Sequence, residues 1–279
     1  MPTSGLSLVG FMDQSHALAH LKRECVPTNN DDAVLTREWQ QATALLGAPV
    51  ARAGYPEILD LDTNQNASLM RHKNLVDALN TYPGSRFARI EIGPLLAYQF
   101  HIDIERSAHH CSHLRADSTF DEIAAACLPS SVVMDEVQKL TQQQSAIIKS
   151  RSLNIRMGLR GIFHDANGPN AMGFAVFLAL PVTHVTRFNG RCYLHNGYHR
   201  ALGLLQAGIT HMPCLFRDAA TAEEAGIGAP PATFPLTLLE SANPPTLAHF
   251  GRGSAWPVKL RAASRILHIS WADYVLFDE

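Results

Sequence analysis

Between positions 185 and 216 the residue order dictates strand, tight turn, helix and strand in succession. Asn189-Gly190 separates two β-prone runs, 185–188 and 191–194. Asn-Gly in that setting predicts a two-residue hairpin, because a type I′ turn needs positive φ at both central positions. Asn196-Gly197 then ends the second run. Ala201, Leu202, Leu204 and Leu205 recur at helical spacing, and Gly208 stands where a left-handed C-terminal residue belongs. Pro213 follows inside a short apolar run, 212–216, as suits the first residues of a strand. The helix is therefore predicted to start near Tyr198.

A helix that starts there has chemistry at its end. Its first amides lack intrahelical partners and its dipole is positive at that end. Gly197 lets a ligand come close to the backbone. Arg200 can fork onto phosphate oxygens, and His199 can donate from the same turn. The same residues also fit a plain strand-to-helix turn, with His199 and Arg200 on a solvated face.

The order of strand, Asn196-Gly197-Tyr198-His199-Arg200, apolar helix, glycine and proline-bearing strand resembles the ParB/sulfiredoxin-like superfamily. The close resemblance covers Val182 to Phe216. The segment from Arg89 to Leu95 is similar to that family's opening strand. The resemblance implies a small mixed sheet and a turn that binds the phosphates of ATP or another nucleotide, with Mg²⁺ bridging them. It assigns Asn196, Gly197, Tyr198, His199 and Arg200 to the phosphates. One branch of the superfamily phosphorylates small hydroxyl-bearing molecules with an upstream glutamate as base. Glu91 is the nearest match, which would make Glu91 and His199 the catalytic pair. The alternative is a non-catalytic module whose nucleotide controls a protein partner.

Departures from the family narrow this. Sulfiredoxins carry a cysteine where this chain has Tyr198, so the attacking thiol is absent. ParB partition proteins continue into a helix-turn-helix domain. Here the chain runs instead through Gly226, Gly228, Pro230, Pro231, Pro235, Pro244 and Pro245, over which no recognition helix fits. With 23 Lys+Arg against 25 Asp+Glu and no basic block, DNA is a poor partner.

A composition of 46% hydrophobic and 17% charged residues predicts a globular chain. No apolar run reaches membrane-span length. Five cysteines without CxxC spacing read as reduced thiols of a cytoplasmic protein. Helices are expected over 15–25, 33–46, 67–79, 123–127 and 132–150, and strands over 86–92, 155–162 and 174–180, with a second strand inside 95–104. The last stretch, 259–277, reads as helical or mixed. The expected class is α+β (mixed α/β). Residues 1–84 form a helical N-terminal extension. Residues 85–217 form the core, with a helical insertion near 117–150, and 218–279 a proline-rich segment packed on it. Trp39 and Phe120 read as core anchors, and Trp256 and Trp271 as pins for the tail.

The chain holds 14 histidines, and His101, Asp103, His109, His110, Cys111 and His113 crowd one segment. His109 and His113 would share a helix face. Their spacing matches no metal motif, so no metal ligands are assigned and the segment reads as a polar surface loop. Asp165 and Asn170 fit a Gly/Pro/Asn loop between strands.

Overall fold

A computed structural model describes the whole chain except residues 28, 131–136, 143–144, 151–154, 164–170, 179, 228–232 and 271–279. Asp165, Asn170 and Trp271 lie outside the described residues. The fold is α+β. It divides into two compact units, Met1–Ser130 with Pro181–Ala262, and Ser131–Leu180 with Ala263–Glu279.

The first unit opens with β1 (Thr3–Ser7), α1 (Gln14–Glu24), α2 (Asp32–Ala44), β2 (Ile58–Asp60), α3 (Thr63–Met70) and α4 (Lys73–Thr81). It continues through β3 (Arg86–Glu91), β4 (His101–Asp103), α5 (Ile104–Cys111) and α6 (Phe120–Cys127). The chain then builds β5 (Val137–Gln142), β6 (Ser145–Ser150), β7 (Ile155–Phe163) and β8 (Ala171–Leu178) of the second unit. It returns through β9 (His184–Phe188), β10 (Arg191–Asn196), α7 (Tyr198–Gln206) and β11 (His211–Asp218). Helices α8 (Leu236–Leu239) and α9 (Leu247–Gly251) and strand β12 (Trp256–Leu260) complete the first unit, and β13 (Arg265–Ser270) belongs to the second.

Two sheets organise the first unit. One has the order β10-β9-β11-β3-β2, the other β12-β1-β4. Among the described strands β9 and β11 are the pair that runs parallel, joined through β10 and the crossover helix α7. The hairpin turn forms as expected, with Asn189 at φ 49° and Gly190 at φ 75°. Tyr193, Tyr198, Phe216, Ile90, Ile92, Leu95 and Leu96 fill the core, each under 2% exposed or at that limit. Burying each such side chain contributes roughly 1.5–3 kcal/mol. Helix α7 packs against α5 and α9. Gly203 permits the first contact, since a Cβ there would stand 2.7 Å from Cys111 Cβ.

Several expectations need correcting. Residues 1–84 are not a helical extension: β1 is the middle strand of one sheet and β2 an edge of the other. The single helix expected over 67–79 is two, because the chain breaks between Met70 and Lys73. The helix expected over 132–150 is a hairpin, β5 and β6, paired at Gln142 and Ser145. Gln, Lys and Leu favour helix locally. However, Thr141, Ile147 and Ile148 suit a sheet, and β13 supplies the third strand. The stretch 259–277, expected as helical or mixed, holds the end of β12 and β13, and its residues from 271 on lie outside the described ones. Trp39 is half-buried, its indole N–H donating to the Met12 carbonyl at 3.0 Å. Among the described residues no helix is long and apolar enough to cross a membrane. All five cysteines are buried and free.

Candidate functional site

The turn at 195–200 begins with an irregularity. The β9–β10 register slips between Leu194 and Asn196, which leaves His195 as the extra residue of a bulge. The next two residues reverse the chain. Asn196 Nδ2 donates to the Val182 carbonyl at 2.9 Å. Gly197 then takes φ 110°, ψ 16° and caps α7 without any side-chain bond. The first intrahelical bond runs from the Ala201 amide to the Gly197 carbonyl. Among the described residues, the amides of Tyr198, His199 and Arg200 have no carbonyl partner of their own, as expected at a helix start.

Arg200 is the residue least explained by structure alone. It is only 6% exposed. Its Nε is buried without a hydrogen-bond partner, and no carboxylate forms an ion pair with it among the described residues. Burial pulls the guanidinium below its ordinary pKa, with the Cys127 and Cys111 thiols beside it. An unpaired buried charge is expensive and normally finds an anion.

His199 is half-buried on the next position. Burial is the first cause that lowers its pKa, to about 3, and Arg106 adds to it while Asp103 opposes it. The ring is therefore neutral at neutral pH and can donate one proton or accept one.

Tyr198 does not face the turn's outer side. It is 2% exposed, and its hydroxyl accepts from the Tyr98 amide at 3.0 Å and more weakly from the Gln99 amide at 3.4 Å. This takes its hydroxyl, though not its amide, away from a phosphate at the turn: the hydroxyl pins α7 to the segment after β3. Tyr198→Phe should leave the buried Tyr98 amide and the part-buried Gln99 amide short of an acceptor and cost about 1–3 kcal/mol, read by urea unfolding. A change below half a kilocalorie would mean that water or another group takes over.

Glu91 is also corrected. Its carboxylate accepts from Arg52 and from the Glu57 amide at 3.0 Å, and the strand holding it is three strands from β10 in the sheet order. Arg52 belongs to the segment whose Gly54 carbonyl takes the Cys192 amide at the start of β10. Cys192 and Asn196 are four strand residues, about 13 Å, apart. Among the described residues no contact joins Glu91 to the turn, and Arg52 and the Glu57 amide occupy the carboxylate that a base would need. The structure brings together Asn196, Gly197, His199 and Arg200, and leaves Glu91 and the Tyr198 hydroxyl out.

Several nearby residues escaped the sequence reading. The Tyr98 hydroxyl lies 2.6 Å from His195 Nδ1, the His184 and His195 rings meet edge to face at 5.2 Å, and Tyr82 stacks on His184 at 4.9 Å. Arg217 lies over Tyr82 and pairs with Glu224. Gly226 sits so close to His195 that a Cβ would be 2.7 Å from its Cε1. The only local sequence signal was the presence of His184 and His195 on either side of a hairpin.

The expected histidine face also dissolves, since α5 ends at Cys111 and His113 lies beyond it. His109 and His110 meet edge to face at 5.7 Å, His109 exposed and His110 half-buried near Arg200.

Buried neutral histidines make stability depend on pH. His184 and His249 are 3% and 2% exposed. Burial lowers them to about 3 and about 4. The unfolded chain binds their protons near pH 6.5 and the folded one only far below. Their contribution is therefore complete above 6.5 and is lost as pH falls towards the folded values. Between pH 7.5 and 5 each should cost about 2 kcal/mol. A melting temperature unchanged over that range would mean that these rings are not held neutral.

No protein-family model, no curated protein and no solved structure matches this chain.

Proposed function

We propose that the turn Asn196–Arg200 binds a phosphate-bearing small molecule, with ATP or another nucleotide carrying Mg²⁺ as the first candidate. The observation that carries this is Arg200, a buried guanidinium with an unpartnered Nε and, among the described residues, no carboxylate paired to it. The left-handed Gly197 and the three first-turn amides beside it supply further donors for an anion. The resemblance of this turn to the ParB/sulfiredoxin-like superfamily supports the same reading. The place of Glu91 favours the non-catalytic form of the proposal over a phosphotransferase, because the expected base is held elsewhere by Arg52. In this form the nucleotide changes the stability of the turn and its surroundings and so controls a protein partner.

The test is a thermal-shift series on the full chain with ATP, ADP, CTP, GTP, pyrophosphate and inorganic phosphate, each with Mg²⁺. A ligand present at 100 times its dissociation constant adds about 2.7 kcal/mol to the folded state. A concentration-dependent rise with at least one phosphate ligand is expected. No rise with any of them at millimolar concentration refutes the proposal.

A further inference from the structure

A second constellation lies on α1, β1 and β4, and it uses a histidine from the segment whose spacing matched no metal motif. His20 and Glu24 are four residues apart on α1 and share a face. His101 opens β4, directly across from Ser7 of β1. The three side chains converge. His20 Nδ1 is 3.6 Å and His101 Nδ1 3.3 Å from the same oxygen, Glu24 Oε2, and all three atoms lie within 4.8 Å of one another.

These groups meet without hydrogen-bonding. Both Nδ1 atoms are buried and have no hydrogen-bond partner. For His20 the reason can be followed atom by atom. The Ser7 hydroxyl donates to the Phe100 carbonyl at 3.2 Å. Its oxygen is then free to accept from a protonated His20 Nε2, also at 3.2 Å. With the proton on Nε2, the lone pair of Nδ1 points at a carboxylate oxygen. Two acceptors aimed at each other repel unless a cation stands between them.

The surroundings also fit. Arg23 Nε donates to the other carboxylate oxygen, Glu24 Oε1, at 3.1 Å, which leaves Oε2 for the histidines. Ser7 and Arg23 thus hold a ring and a carboxylate from behind, as the outer partners of metal ligands do. Bonds of about 2.0–2.1 Å in a tetrahedral shell place neighbouring ligand atoms about 3.4 Å apart. The two measured separations bracket that value. His20 is buried, while His101 and Glu24 are 33% and 28% exposed, which leaves a side open for entry and for a fourth, water ligand.

We propose that His20 Nδ1, His101 Nδ1 and Glu24 Oε2 form a binding site for one divalent first-row transition metal, with Zn²⁺ the ion best matched to two imidazoles and a carboxylate. This site is independent of the turn at 195–200 and stands whether or not that turn binds phosphate.

The full chain, stripped with EDTA and dialysed, is titrated calorimetrically with Zn²⁺ in a non-chelating buffer at pH 7.5. The same titration with Co²⁺ is followed by visible absorption. One equivalent should bind, and Co²⁺ should give the intense bands of a four-coordinate ion. His101→Ala and Glu24→Gln should each weaken binding at least about 100-fold. Glu24→Gln is isosteric, so it carries the test if His101→Ala does not fold. His16→Ala, at the exposed Asp13–His16 pair on the same helix, should bind as the parent does. The proposal is overturned if the parent takes up no ion, or if folded His101→Ala or Glu24→Gln binds within about threefold of it. It is equally overturned if His16→Ala loses as much as they do.

Discussion

Arg200→Met should abolish the stabilisation by nucleotide while leaving the unliganded protein as stable as before, or more so. The two halves of this result come from the same fact. Arg200 is 6% exposed and its Nε has no partner. Methionine is similarly long and unbranched and brings no charge, so it fills the space between Cys111 and Cys127 without desolvating a cation. Replacing buried charges by apolar groups of similar volume is often neutral or stabilising by about 1–4 kcal/mol. Removing one member of a buried hydrogen-bonded charge pair in a complex costs about 2–5 kcal/mol, a loss of roughly 30- to several-thousand-fold in affinity. The thermal-shift series run on both proteins reads both effects at once. Undiminished binding by Arg200→Met would refute the phosphate role. A fall of about 10 °C in the unliganded melting temperature would instead make Arg200 a structural charge.

Gly197→Ala is the second large effect, and it falls on the fold. At φ 110° an L-residue is strained by roughly 1–3 kcal/mol. The new Cβ would also meet Thr183 Oγ1 at 2.8 Å and Cγ2 at 3.0 Å. Thr183 has little freedom to move: its amide donates to the Cys127 carbonyl and its own carbonyl accepts from Leu215. A total of about 3 kcal/mol is expected, or some 6–12 °C in melting temperature. Thr183→Ala in the same chain removes the two nearest contacts, leaving its Cβ at 3.2 Å, and does not relieve the strain. The double variant should therefore recover part of the loss and show a coupling of about 1 kcal/mol. A single variant that melts with the parent would contradict the left-handed turn itself.

The legible parts of the fold were the local ones. Asn189-Gly190 fixes its hairpin by backbone sterics alone, and Gly197, Gly208 and the leucines of α7 follow within a few residues. Glu91 was misassigned because its place depends on Arg52 and the Glu57 amide, about 35 residues upstream, and nothing around Glu91 announces them. The strands β5 and β6 looked helical because their third strand is β13, far along the chain. In the same way, Arg200 showed its chemistry in sequence but not its burial, which α5, α6 and α7 create together. His101 was noticed for the wrong neighbours: His109 and His113 were near in sequence, while His20 and Glu24 are near in space. The i,i+4 pairing of His20 with Glu24 was the one signal available.

The position of β1 sets the timetable on which this protein can be made. It leaves the ribosome long before β12, yet it is the middle strand of its sheet, and its Thr3 pairs with Leu260. At 5–20 residues per second, translation keeps that edge waiting for on the order of tens of seconds. Arg265, the partner of Ser150, emerges later still. Neither unit can close its sheets until Trp256–Leu260 and Arg265–Ser270 have emerged. A nascent chain stalled before Trp256 would therefore display an unpaired strand edge, the feature from which chains aggregate.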